Sequence, residues 1–125
     1  MASRSFFMDM KSSQPGIVKI AGSFAPNNTS ALVATSTYGK GFTVARTDTG
    51  KFTITLSDTY TRLENFTGII ALTAVLDLKL QLGAVDVTSA KTIVLNVLAI
   101  ATPTDIVANA ANRIYFELSL VNSSL

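Results

Sequence analysis

The segment Gly41-Phe42-Thr43-Val44-Ala45-Arg46 leads through Thr47-Asp48-Thr49-Gly50 into Lys51-Phe52-Thr53-Ile54-Thr55-Leu56. Large apolar side chains at every second position give each arm one dry and one wet face, the period of a strand and not of a helix. Asp-Thr-Gly between the arms supplies a turn starter and a residue that tolerates positive φ. The segment predicts a β-hairpin. The same alternation predicts strands at Ile17–Phe24 after a Pro15-Gly16 turn, at Phe66–Leu76, at Leu78–Val87 and at Arg113–Val121. A further strand at Thr92–Ala101 follows the turn Thr88-Ser89-Ala90-Lys91, and Phe6–Met10 adds an edge strand.

Two of these runs differ in kind. Leu78-Lys79-Leu80-Gln81-Leu82 alternates cleanly, so one of its faces is wet. Ile93 to Ile100 is apolar on nearly every position, which predicts a strand buried on both faces, inside a sandwich or beneath a neighbouring subunit. Val97 and Ile100 are therefore candidate interface residues. Residues 26–40 are rich in Asn, Ser and Thr and read as a long loop holding one helical turn near Ala31. Asp58 to Leu63 opens on a cap-like Asp and reads as a short turn of helix. No repeat and no linker divides the chain, so residues 1–125 form one β domain, with residues 1–16 either an N-terminal arm or an edge strand. Turn signals between so many short runs imply an all-β fold. The expected architecture is an antiparallel β-sandwich or jelly-roll-like barrel of about 7–8 strands with at most one short helical turn.

The chemistry available to such a chain is narrow. Cysteine and histidine are both absent, which removes disulfides, thiol nucleophiles, imidazole acid–base work and the common zinc sites. Eight carboxylates remain: Asp9, Asp48, Asp58, Glu64, Asp77, Asp86, Asp105 and Glu117. No spacing among them singles out a hydrolytic pair, and Asp48, Asp58, Asp77 and Asp105 fall in or beside predicted turns. Asp48-Thr49-Gly50 matches the triplet of aspartic proteases, but at a hairpin tip three residues are more simply a turn. Gly39-Lys40-Gly41 opens a strand and not a helix, so it is no phosphate loop. The Asn-x-Ser/Thr patterns starting at Asn27, Asn28, Asn65 and Asn122 are expected by chance in so Asn- and Thr-rich a chain. Neither an enzymatic activity, nor a cofactor, nor a metal is expected.

What is left is adhesive. Charged residues are only 14 % of the chain, against roughly 25 % in an ordinary soluble domain. A subunit covered by neighbours needs less surface charge than a free monomer, so an oligomer is expected. The net charge of +2 is spread along the chain without a basic cluster, and no nucleic-acid partner is expected. Apolar runs are broken before about 18 residues, and the N-terminus carries no secretory pattern, so neither a membrane span nor a leader is expected. Phe6, Phe7, Met8 and Met10 form an apolar N-terminal cluster suited to anchoring an arm on a neighbour.

The stretch Gly39 to Thr47, through Gly50 to Tyr60, resembles a pattern in small virion proteins of tailed bacteriophages. There a Gly-Phe-Thr-Val strand leads through a Gly turn to a Phe-Thr-Ile-Thr-like strand and an Asp-x-Tyr segment. Asn112-Arg113-Ile114-Tyr115-Phe116-Glu117-Leu118, ending Asn122-Ser123-Ser124, is similar to their C-terminal strand, and the likeness spans Gly22 to Leu125. It implies a capsid decoration or cement protein, commonly a trimer, set on the outer capsid surface of the virion after synthesis in the host cytoplasm. The implied partners are the major capsid protein and further copies of the chain itself. The pattern carries no catalytic residues. Two other expectations stand beside it: a tail or fibre module that binds a carbohydrate or receptor, and a minor tail or connector protein.

Overall fold

Alternating side chains sort themselves onto two antiparallel sheets that share one core. The computed structural model describes residues 16–109 and 111–122. Its strands are β1 (Ile17–Phe24), β2 (Tyr38–Gly39), β3 (Phe42–Asp48), β4 (Lys51–Leu56), β5 (Arg62–Ala71), β6 (Leu78–Asp86), β7 (Thr92–Ala99), β8 (Thr102–Pro103) and β9 (Arg113–Val121). The first sheet has the order β2-β1-β9-β5 and the second β3-β4-β7-β6, with β8 added beside β7. This is the expected sandwich.

The inward positions follow period two along each strand. Ile114, Phe116, Leu118 and Leu120 of β9 meet Ile93, Leu95 and Val97 of β7 and Phe52, Ile54 and Leu56 of β4, all buried. Phe116 is the aromatic centre. Its ring lies 5.0 Å from Phe42, 6.1 Å and nearly parallel to Phe66, and 6.3 Å from Phe24, which in turn sits 5.0 Å from Phe52. Burying each such side chain contributes about 1.5–3 kcal/mol, and the tilted ring pairs add to that.

The strands divide the molecule into two ends. At one end lie Gly16 and Asn122, joined by a hydrogen bond from Asn122 N–H to the Gly16 carbonyl (2.6 Å), with the turns around Ser57–Thr61 and Val87–Lys91. At the other end, the loop end, lie residues 25–33, 72–77, 100–109 and 111–112 and the β3–β4 hairpin tip. Three outer strands are kinked by register shifts: β3 between Arg46 and Asp48, β5 between Leu63 and Asn65, and β6 between Leu82 and Val85. Such bulges twist an edge away from further strand pairing.

Three expectations need correction. The strand placed at Phe66–Leu76 is Arg62–Ala71, because β5 pairs with β9 from Val121 onwards and its register draws in the polar Arg62-Leu63-Glu64-Asn65. The apolar run Leu72–Leu76 lies beyond the ladder, in a loop. No helical turn forms at Asp58–Leu63. Asp58 does cap Thr59 N–H (3.0 Å), but Tyr60 and Thr61 N–H donate to the Val87 and Val121 carbonyls, which holds the segment extended. The one short turn of helix among the described residues is at Ala34–Ser36. Finally, β7 is buried on one face only. Ile93, Leu95 and Val97 are sealed in the core, whereas Val94, Asn96 and Leu98 are half-buried on the outer face. Among the described residues no helix is long and apolar enough to cross a membrane.

Candidate functional site

The loop end is built from segments that the sheets deliver side by side. Asn112, buried just before β9, donates from Nδ2 to the Val107 carbonyl (3.0 Å) and accepts at Oδ1 from Thr73 N–H (2.8 Å). It thereby ties residues 72–77 to residues 104–112. Asn28 N–H donates to the Ile106 carbonyl (3.0 Å) and brings in residues 25–33. Between the tied loops opens a cavity of about 290 Å³, walled mainly by Leu72, Ala74, Leu76, Leu78, Ile106 and Val107. Around it aliphatic side chains stand in solvent. Val75 is fully exposed, Ile100 79 %, Val107 66 % and Leu76 59 %. The three loops contain no Lys or Arg, and their charges are Asp77 and Asp105 alone.

Ile100 is also strained. It opens the two-residue turn between β7 and β8, where Ala99 faces Thr102, with φ at 61°. Glycine usually occupies that left-handed position, and a β-branched residue there is an outlier.

The second loop-end carboxylate is committed to the fold. Asp105 accepts from Arg46 Nε (3.0 Å) and Nη2 (2.9 Å), and from Gly50 N–H (3.0 Å). The Gly50 carbonyl in turn accepts from Val97 N–H, and the Val97 carbonyl from Thr104 N–H. This staple pins the hairpin tip to β7 and the segment after β8. The Arg46 hydrogen bonds, helped by the Gly50 N–H and by the nearby positive charge, hold the Asp105 carboxyl below its ordinary range despite its partial burial. Its stabilising effect is then present in full above an unfolded carboxyl pKa of about 4 and lost as pH falls through the lower folded value. Asp105→Asn is therefore expected to lower the melting temperature most at neutral pH, the gap from the wild type narrowing below about pH 4. Thermal melts of both proteins from acid to neutral pH check this. A gap that is constant or widens in acid removes the staple's electrostatic part.

A second surface lies on the outer face of the first sheet. Cross-strand register aligns Tyr38, Ser23, Tyr115 and Ile69 in one row over β2, β1, β9 and β5. Tyr38, Tyr115 and Ile69 are exposed and Ser23 is buried. Arg113 lies over the Tyr38 ring at 4.2 Å and donates to Ser23 Oγ (3.0 Å) and the Ser36 carbonyl (2.6 Å), which fixes its guanidinium in place. Glu117 stands exposed two residues beyond Tyr115 on the same face.

Comparison with protein families, curated proteins and solved structures finds no match. The surfaces therefore rest on their own geometry. Val97 corrects the sequence reading: it is fully buried, inward on β7 opposite Leu80, and is core and not interface. Ile100 is exposed at the loop end. Phe6, Phe7, Met8 and Met10 lie outside the described residues, as does Asp9. Asp48, Asp58 and Asp86 accept from the nearby backbone N–H groups of Thr49, Thr59 and Ser89, and Glu64 pairs with Arg62 at 3.4 Å. Asp77 and Glu117 are exposed, one on a loop and the other on β9. Among the described residues no three His, Cys, Asp or Glu come together as metal ligands. Sequence reasoning missed the tyrosine row. Tyr115 is the outward position of a clearly alternating strand, so a signal for it was present; Tyr38 and Ile69 join it only through register.

Proposed function

We propose that this protein is a non-enzymatic structural subunit of a virion: a capsid decoration, or cement, protein of a tailed bacteriophage. In this reading it binds the outside of the shell as a homo-oligomer, a trimer being favoured, and stabilises the particle. One observation carries the reading. A single small domain exposes two separate adhesive surfaces, the aliphatic loop end and the tyrosine row, while most of its described carboxylates serve turns and the staple. A cement subunit has to hold its own copies and the shell at once, and needs two such surfaces. The row has the composition of an interface anchor, with Tyr and a preorganised Arg beside an aliphatic side chain. The residues that resemble phage virion proteins, Gly39–Tyr60 and Asn112–Leu118, build the β3–β4 hairpin and the start of β9, and the latter stretch carries Asn112 of the loop end and Arg113 and Tyr115 of the row. Many modest contacts per subunit, repeated by symmetry, raise the cost of separating shell subunits.

Mixing purified protein with undecorated shells tests this. Co-sedimentation that saturates at a fixed copy number, together with a higher temperature of shell disruption, is the expected result. Absence of co-sedimentation overturns it. A second reading, a tail or fibre module that binds a carbohydrate, draws on exposed Tyr115 with Glu117 beside it. Binding on a glycan array, lost on Tyr115→Ala, is the result that favours it.

A further inference from the structure

We propose that the open edge of β1 is a docking site for the N-terminal segment Phe7–Lys11 of the same chain, which folds back as a hairpin arm and pairs with Ile17–Ala21. The inference is independent of the capsid reading and starts from the edge.

Among the described residues β1 has β9 along its whole length on one side, and on the other only β2, at Gly22 and Ser23. Register shows which backbone groups are left over. The Gly16 carbonyl accepts from Asn122 N–H in step with the β1–β9 ladder. Bonded residues alternate along an antiparallel pair, so Val18 and Ile20 turn their N–H and C=O groups to β9. Ile17, Lys19 and Ala21 turn theirs to the open side. The other outer strands β3, β5 and β6 are kinked by bulges, whereas β1 runs through eight register pairs without one. A regular edge with free donors and acceptors is one that a protein has to cover.

The segment matches that edge in length, pattern and charge. Gly16 lies in a turn with φ at 88°. A five-residue loop, Ser12-Ser13-Gln14-Pro15-Gly16, puts Lys11 opposite Ile17, Asp9 opposite Lys19 and Phe7 opposite Ala21. Met10 and Met8 then fall opposite Val18 and Ile20, the inward residues of β1, and Val18 is only partly buried. Opposed residues share a face. The methionines therefore extend the core at its margin, and Asp9 meets the exposed Lys19 on the outer face. A slip of one residue would turn the methionines to solvent and Asp9 inward. A strand held here also closes β1 to pairing with other chains.

The chain has no cysteine, so an engineered pair reads the register directly. In the full chain, Asp9→Cys with Lys19→Cys is expected to oxidise within one molecule, both thiols being lost at the 13.2 kDa mass. Asp9→Cys with Thr67→Cys, on β5 at the far edge of the same sheet, is expected to keep its thiols. The second measurement is hydrogen exchange. The Lys19 amide is expected to exchange at least tenfold faster in the full chain carrying Met8→Asp and Met10→Asp than in the wild type. Should the cysteine pair fail to fold, exchange decides alone. Thiols that persist in the first pair overturn the proposal, as does a Lys19 exchange rate that the two substitutions leave unchanged. A disulfide joining two molecules overturns it as well, and assigns the edge to the segment of a second copy.

Discussion

Val97→Asp leaves no soluble, cooperatively folding protein. Val97 has no exposed surface and points from the central strand β7 into the sandwich, across from Leu80. Replacing it removes roughly 1.5–3 kcal/mol of apolar burial and adds a carboxylate whose desolvation costs several kcal/mol more. Together these rival the whole stability of an average domain, about 5–15 kcal/mol. The control lies three residues away. Val94 is on the outer face of the same strand, opposite Thr53, and is only half-buried. Val94→Asp is expected to cost on the order of 1 kcal/mol and to keep a sharp transition. Circular dichroism melts of the soluble fractions measure both. If Val97→Asp melts like the parent, the inward assignment of β7 is wrong.

Gly50→Ala is expected to destabilise the fold strongly. Gly50 has φ at 62°, and a Cβ built there would lie 2.6 Å from Thr104 N, 2.7 Å from the Val97 carbonyl oxygen and 2.8 Å from the Thr104 carbonyl oxygen. These are backbone atoms, which cannot rotate aside. The left-handed conformation alone costs alanine about 1–2 kcal/mol. Making room for the methyl also forces the hairpin tip off β7, which weakens the Gly50 hydrogen bonds to Asp105 and Val97 at roughly 1 kcal/mol each. A total of about 3–4 kcal/mol corresponds to a fall in melting temperature of roughly 10–15 °C for a chain of this size. A loss of only a degree or two is the opposing outcome, and it would mean that the tip is not packed against Thr104.

The strands with their own turns were legible from sequence. Ile17–Phe24, Lys51–Leu56 and Arg113–Val121 fall where alternation places them, because each buries one face against a single core and period two records that directly. Legibility failed where pairing overrode composition. Arg62 to Asn65 look like a loop, yet they lie in β5 because β9 offers partners as far as Val121. Leu72 to Leu76 look like strand, yet they wall a cavity and face solvent, since apolar content alone does not say which surface it meets. The two surfaces were partly readable. The apolar run points to Ile100, but nothing in the sequence announces its left-handed backbone. Val97 reads as a surface residue alongside it, because a run apolar at nearly every position hides which side is inward. The Arg46–Asp105 pair spans 59 residues and has no local signature; only the fold of the loop after β8 reveals it.

The hydrogen bond between Gly16 and Asn122 has a practical consequence. β1 and β9 run antiparallel through eight register pairs, so Gly16 and Asn122 are neighbours at the end of the sandwich opposite the loop end. A short peptide joining these points would close the chain, and a new opening in the Thr88–Ala90 turn would keep both sheets whole. Likewise, a reporter domain attached at either point would hang clear of the loop end, so the subunit could carry cargo without obstructing that surface.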